Sequence, residues 1–222
     1  MKYNAITSAK FISRPNRFIA IVKVDGDEKS VHVKNTGRCR ELLIPGAKVF
    51  LEKATNPQRK TPYDLVAVEK DGKIINIDSQ APNVVVKEWL LSGEKYDLVK
   101  PEYKYGDSRI DFYMEKGNEK YLMEVKGCTL FVDGAGYFPD APTDRGARHL
   151  RELTYSISEG YKPIIAFVIQ GEGINEVRPN TATDPDFAAA FDEAVKAGVQ
   201  VLFLRCKVTF DSLRIISERA TQ

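Results

Sequence analysis

The chain has 222 residues, 43% of them hydrophobic and 29% charged, enough to bury one large core or two small ones. Lys and Arg outnumber Asp and Glu by only 33 to 31, so net charge does not announce a nucleic-acid partner, and any basic surface must come from how charges are distributed. Two histidines, three well-separated cysteines (Cys39, Cys128, Cys206), a start without a signal-peptide apolar region and no run long enough to span a bilayer exclude poly-histidine metal chemistry. They also argue against a disulfide framework and predict a cytoplasmic protein away from membranes.

The first eighty residues read as β. Residues 18–24 (FIAIVKV) are a strand candidate, Asp25-Gly26-Asp27 a turn, and 30–33 a new strand. Further short runs lie at 49–51, 65–68 and 74–77, with Asp71-Gly72 as a hairpin turn between the last two. Several short strands with Gly and Pro punctuation predict a small barrel of the oligonucleotide/oligosaccharide-binding (OB) type. Ala81-Pro82-Asn83 marks a boundary, with an OB-like nucleic-acid-binding domain at 1–81 and a second domain at 82–222.

Asn83 is placed to cap the next helix, in which Val85, Val86, Trp89 and Leu90 form an apolar stripe. Strands are expected at 97–105, 109–115 and 119–126. A helix follows at 144–159 with Leu150, Leu153 and Ile157 at core spacing, then a buried strand at 163–169 (PIIAFVI). A helix at 187–196 closed by Gly198 and a strand at 199–204 complete a parallel crossover. The fold class is therefore α/β (α+β), with the second domain ordered α-β-β-β-α-β.

Residues 109–126 carry the most chemistry. With Gly117-Asn118 as a two-residue loop, Lys116 lies opposite Glu119, and counting back sets Asp111 opposite Glu124. Ile110, Phe112 and Met114 would then share an apolar face with Val125, Met123 and Tyr121, while Asp111, Glu124 and Lys126 share the other. Two opposed carboxylates repel unless a cation compensates, and Mg²⁺ needs only one or two carboxylates to be held at a phosphate. The alternative is a solvated polar hairpin face, since an Asp and a Glu-x-Lys at this separation also occur by chance.

An acid on the second strand and Glu-x-Lys on the third resemble the restriction-endonuclease-like, PD-(D/E)-x-K core. Three stretches resemble the sugar fermentation stimulation protein A family more specifically: 18–46 with its core HVKNTGRCRELL at 32–43, NPQRKTPYDL at 56–65, and 121–153 with EVKGCTL and FPDAPTDRG. The resemblance covers nearly the whole chain. It implies an OB-like domain joined to a nuclease-like domain, DNA binding, and a role in sugar (maltose) utilisation. Carried onto this sequence, it implies Asp111, Glu124 and the Val125 carbonyl as ligands of Mg²⁺ or Mn²⁺, and Lys126 as the catalytic lysine. Glu88 and Glu102 are candidates for a further acid. The chain departs from the pattern in having Ile110 where a Pro often precedes the acid.

For DNA, the expected contacts are Lys34, Asn35, Thr36, Arg38 and Arg40 in one Gly-containing turn, Arg14, Asn16 and Arg17 beside the first strand, and Arg59 with Lys60 in a Pro-bounded loop. Whether the DNA is single- or double-stranded stays open, and a homodimer is allowed. Arg145, Arg148 and Arg151 either extend this surface or form an ordinary charged helix face. His149 is either an acid/base or a structural hydrogen-bonding residue. The segment 131–138 is either a loop over the site or a connector. Two functions compete: a metal-dependent DNA hydrolase, and a non-catalytic DNA-binding regulator on a nuclease-like scaffold. RNA or oligosaccharide binding by the barrel is a third reading.

Overall fold

A computed structural model describes residues 1–35, 37–56 and 58–221. Its N-terminal strands are β1 (Ile6–Asn16), β2 (Ile19–Val24), β3 (Asp27–Val33), β4 (Lys48–Lys53), β5 (Tyr63–Lys70) and β6 (Lys73–Asn76). They hydrogen-bond in the order β3-β2-β1-β4-β5-β6, and a parallel β3–β5 pairing closes the first five into a barrel. Closure removes the free edges that an open sheet would expose. Alternate residues such as Val22, Val24, Val31, Val33, Val49 and Leu51 fill the interior. The fold is thus an OB barrel, as expected. The longest of its strands, β1, was not anticipated, and the strand at 74–77 ends one residue early, at Asn76.

The C-terminal part is a mixed α/β domain. It continues through α1 (Ala81–Leu91), β7 (Leu98–Tyr105), β8 (Ser108–Lys116), β9 (Glu119–Cys128), β10 (Leu130–Val132), β11 (Ala135–Phe138), α2 (Asp144–Ser156), β12 (Tyr161–Ile169), β13 (Val177–Pro179), α3 (Pro185–Ala197), β14 (Gln200–Thr209) and β15 (Ser212–Ala220). Six strands form one sheet in the order β15-β14-β12-β9-β8-β7, with β12 parallel to both β9 and β14. Helix α1 covers one face through Val85, Val86 and Leu90, and α2 and α3 cover the other through Leu150, Leu153 and Phe187. Both faces of β12 are therefore buried, which explains its unbroken apolar run.

Helix α1 starts earlier than expected. Gln80 is its N-cap residue, Pro82 lies in its first turn, and Asn83 lies inside the helix rather than capping it. A proline suits the first turn because its missing N–H has no partner to lose there. That leaves the Asn83 amide free for another role. The segment 131–138 is not a loose loop. It forms a hairpin, β10–β11, that pairs with β13 in a small third sheet.

The two parts are stitched by polar contacts. Gln170 at the end of β12 donates to Asn76 Oδ1 at 2.8 Å and to the Asp78 carbonyl at 3.0 Å. Lys2 bridges to Ser212, and Tyr3 N donates to the Asp211 carbonyl at 2.8 Å. The N-terminus therefore packs on the far end of the mixed sheet. Among the described residues no helix is long and apolar enough to cross a membrane.

Candidate functional site

The β8–β9 hairpin turns where expected. Gly117 has φ +56° and Asn118 stays at negative φ, so the backbone conformation that disfavours side chains falls on the glycine. The register runs from Lys116↔Glu119 to Phe112↔Met123, and the next pair in line is Asp111 and Glu124. There the ladder stops. The Asp111 carboxylate takes its place, with Oδ2 accepting from Val125 N at 2.7 Å and Oδ1 from Asn83 Nδ2 at 2.7 Å.

One expectation about faces fails. Phe112, Met114, Met123 and Val125 pack under α1, but Ile110 lies in the opposite core with Tyr113 and Leu122. The cause sits in β7. Glu102 has φ +55°, and the β7–β8 pairing skips the Glu102/Asp111 step while keeping its register. A left-handed residue breaks the alternation of side chains, so the strands reverse faces at the acid.

Glu124 is buried, its side chain 4% exposed. Its Oε1 receives Lys126 Nζ at 2.6 Å and His149 Nδ1 from α2. Arg145 Nε donates to His149 Nε2 at 3.2 Å. A guanidinium only donates, so Nε2 is the acceptor and the ring proton sits on Nδ1, pointing at Glu124. The second oxygen, Oε2, is buried without a hydrogen-bond partner among the described residues.

The two carboxylates differ in proton affinity. Burial pushes Asp111 up to about 6, and the neighbouring Glu124 charge adds to this, while the Val125 amide, Lys126 and Asn83 pull back. For Glu124, burial alone would raise the value. The Lys126 charge and the His149 donor outweigh it and hold the group below the ordinary carboxylate range. Asp111, Glu124 and Lys126 thus form one electrostatic cluster, with two acids against one ammonium.

That donor set fits a divalent cation. Mg²⁺ and similar hard ions take oxygen ligands and manage with two carboxylates, and a buried carboxylate oxygen without a donor is the kind of group an ion satisfies. No group of three or more His, Cys, Asp or Glu gathers as a metal site among the described residues. Glu88 pairs instead with the N-terminal ammonium of Met1, and Glu102 with Arg109 at 3.7 Å. Neither joins the cluster.

The barrel residues divide into two sets. Arg14 is spent inside the protein: its two terminal nitrogens donate to the carbonyls of Gly37, Arg38, Arg17 and Asn35 at 2.6–2.8 Å. Asn16 accepts from the Phe18 and Ile19 amides, and Asn35 bridges Gly37 N to the Ile77 carbonyl. Lys34 lies between Asp64 and Asp78, and Arg59 grips Asp64 with two bonds of 2.7 and 3.0 Å. These five build the loops. Arg17, Arg38, Arg40 and Lys60 are exposed, with no ion-pair partner among the described residues. Thr36 lies outside the described residues.

The exposed loop meets the Lys126 end of the cluster at a cleft of about 600 Å³ between barrel and mixed sheet. Arg17, Arg38, Lys126, Gly127, Tyr137 and Asp140 are among the residues that line it. Gly37 lies close against Asp140, whose carboxylate would have to move aside for a Cβ at that position. Arg148 and Arg151 do not line this cleft. They border a separate depression near Tyr105, and Arg151 pairs with Asp186. Sequence reasoning offered His149 as a structural hydrogen-bonding residue without its partner and missed Asn83 here, since nothing in their spacing ties them to Glu124 or Asp111.

Comparison with known proteins places the whole arrangement. The model of the sugar fermentation stimulation protein RE domain matches residues 80–212, and that of the SfsA N-terminal OB domain matches 12–77. This chain belongs to the sugar fermentation stimulation protein family. A family homolog from Desulfitobacterium hafniense (strain DSM 10664 / DCB-2) is 50% identical over 215 residues, 96% of this chain and 94% of that protein. One from Clostridium beijerinckii is 50% identical over 218 residues, 97% and 96% of the two chains. The structure of Pyrococcus furiosus SfsA in complex with Ca²⁺ superposes with a TM-score of 0.83 at 28% identity, covering 97% of this chain and 96% of that one. The C-terminal domain is thus restriction-endonuclease-like, as the Asp and Glu-x-Lys pattern implied.

Proposed function

We propose that this protein binds DNA across the cleft and hydrolyses its phosphodiester bonds with a divalent metal ion. The observation that carries the reading is the unpartnered, buried Glu124 Oε2 close to Asp111, a second, half-buried acid. Asp111, Glu124 and the Val125 carbonyl would hold Mg²⁺ or Mn²⁺. When bound, the ion would polarise the phosphoryl oxygens and acidify a water. The Ca²⁺ complex of the Pyrococcus furiosus relative supports divalent binding at this fold.

The chain's own groups have separable tasks. Lys126 lines the cleft, where its ammonium would orient the attacking water and offset charge on the phosphorane. His149 and Asn83 hold the two acids in place. Arg17, Arg38, Arg40 and Lys60 supply phosphate contacts, while Arg14, Asn16, Lys34, Asn35 and Arg59 keep their loops in shape.

A specific observation favours the second reading, a non-catalytic DNA-binding regulator: Lys126 already neutralises Glu124 directly. Incubating purified protein with end-labelled single- and double-stranded DNA separates the two. The hydrolase cleaves with Mg²⁺ or Mn²⁺, stops in chelator, and loses cleavage in Glu124→Gln. Binding without cleavage of any substrate would leave only the regulator.

A further inference from the structure

The Glu-x-Lys pair lies deep. The Glu124 side chain is 4% exposed and Lys126 12%, so a scissile phosphate must enter the cleft rather than touch its rim. The cleft of about 600 Å³ is the size of a small-ligand pocket. The opening is also bounded on one side. Gly37 of the barrel loop abuts Asp140, and Cys39 N lies 3.4 Å from Asp140 Oδ2. Barrel and nuclease-like domain therefore touch beside the site instead of leaving an open trough.

Next to this entrance stands an exposed aromatic. Phe18 is 50% exposed, and the guanidinium of the cleft-lining Arg17 lies 5.8 Å from its ring centroid. Its backbone is fixed on both sides: its N–H donates to Asn16 Oδ1 at 2.9 Å, and its carbonyl accepts from Val33 N at 2.8 Å. A solvent-facing ring on a fixed backbone, beside the Arg17 guanidinium, is the arrangement on which an unpaired base stacks while its phosphate meets an arginine. A paired base inside a duplex has no free face to offer.

From recession, confinement and the Phe18 ring together, we infer that the site takes single-stranded DNA, with an unpaired base stacked on Phe18 and its backbone passing Arg17 and Arg38 down to Lys126. This rests on the DNA reading above and names its substrate class. Duplex becomes a substrate only where its end is frayed or a single-stranded arm protrudes.

The test uses the full chain and fluorescein-labelled oligonucleotides of one sequence: a linear single strand, a blunt hairpin duplex and a fork with one unpaired arm. Affinity is read by anisotropy in chelator, where no cleavage occurs. The single strand and the fork are expected to bind at least tenfold more tightly than the blunt duplex. Phe18→Ala is expected to weaken single-strand binding about 5- to 100-fold, and Phe18→Trp to restore it. The ring is exposed and the backbone bonds at residue 18 are indifferent to the side chain, so Phe18→Ala should melt like the parent protein. A blunt duplex bound as tightly as the single strand, or a Phe18→Ala protein that binds single strands like the parent, overturns the inference. Cleavage is scored separately with Mn²⁺. Strand-selective binding without cleavage removes the hydrolase and leaves this inference. Equal cleavage of blunt duplex and single strand does the reverse.

Discussion

Asp111 illustrates how a single side chain can oppose the fold that holds it. Its carboxyl rises from 3.8 to about 6, first because it is buried and then because Glu124 is close. The sign follows directly. Below about pH 4 the proton is bound in folded and unfolded chains alike. Between about 4 and 6 only the folded chain keeps it, so stability falls as pH rises. Above about 6 the full cost is present, on the order of 3 kcal/mol. Asp111→Asn removes that charge and keeps one acceptor for Val125 N, while the Asn83 amide can flip to accept from the new donor. We expect it to stabilise the protein in chelator by about 1–2 kcal/mol at pH 8, after allowing for imperfect hydrogen bonds. The gain should be markedly smaller at pH 5, as read by urea denaturation. An equal effect at both values would place the strain elsewhere. His149 acts in the opposite sense, as support. Its side chain is 1% exposed and aims Nδ1–H at Glu124. His149→Ala should weaken Ca²⁺ or Mn²⁺ binding by about 10- to 100-fold, the usual cost of losing such a support. His149→Asn, whose amide can stand where Nδ1–H stands, should recover most of it. Calorimetry reads this without turnover, and unchanged affinity in His149→Ala would show the support to be dispensable.

Among the elements, those with a strong period or an unbroken apolar run were legible. Strand β12 and helices α2 and α3 follow their patterns, because burial there is decided by many side chains at once. The hairpin was legible for a different reason: a two-residue Gly-Asn loop leaves one register that buries the apolar set. Edge and half-exposed strands were not. In β1 only Ala9 and Phe11 are buried among eleven residues, and Arg14-Pro15 reads as a break. In β15 only Leu213 is buried. Both strands are set by their neighbours rather than by their own composition. The reversal of faces at Asp111 was illegible for a related reason. It originates in the left-handed backbone of Glu102, one strand away, and a non-glycine residue carries no signal for that conformation. Glu124 and Lys126 could still be paired from sequence because β9 keeps its alternation through them, with Met123 and Val125 in one core and Leu122 and Cys128 in the other. Asn83 and His149 come from the two helices that sandwich the hairpin, and only tertiary packing brings them there.

For the whole molecule, the candidate functional surface belongs to neither half alone: the barrel contributes Arg17 and Arg38, and the mixed sheet contributes Val125, Lys126 and Gly127. Sequence composition counted all the barrel cations alike, but the fold separates those facing outward from those that are structural, and salt dependence should expose the difference. A residue that contacts a phosphate displaces a counterion, so losing it lowers the slope of log affinity against log salt by about 0.7 for a single strand. Arg38→Ala should therefore bind DNA more weakly at every salt concentration, with a slope shallower by about that amount and an unchanged melting temperature. Arg14→Ala should behave differently. It strips four carbonyls of their donor, at roughly 1.5–3 kcal/mol for bonds to a charged group, and the melting temperature should fall. Its effect on binding then comes through a loosened 35–39 loop, which also carries Arg38, so affinity and stability should decline together. If Arg14→Ala instead leaves the melting temperature alone and flattens the salt slope, its guanidinium faces the nucleic acid, and the loop must be held by something other than those four bonds.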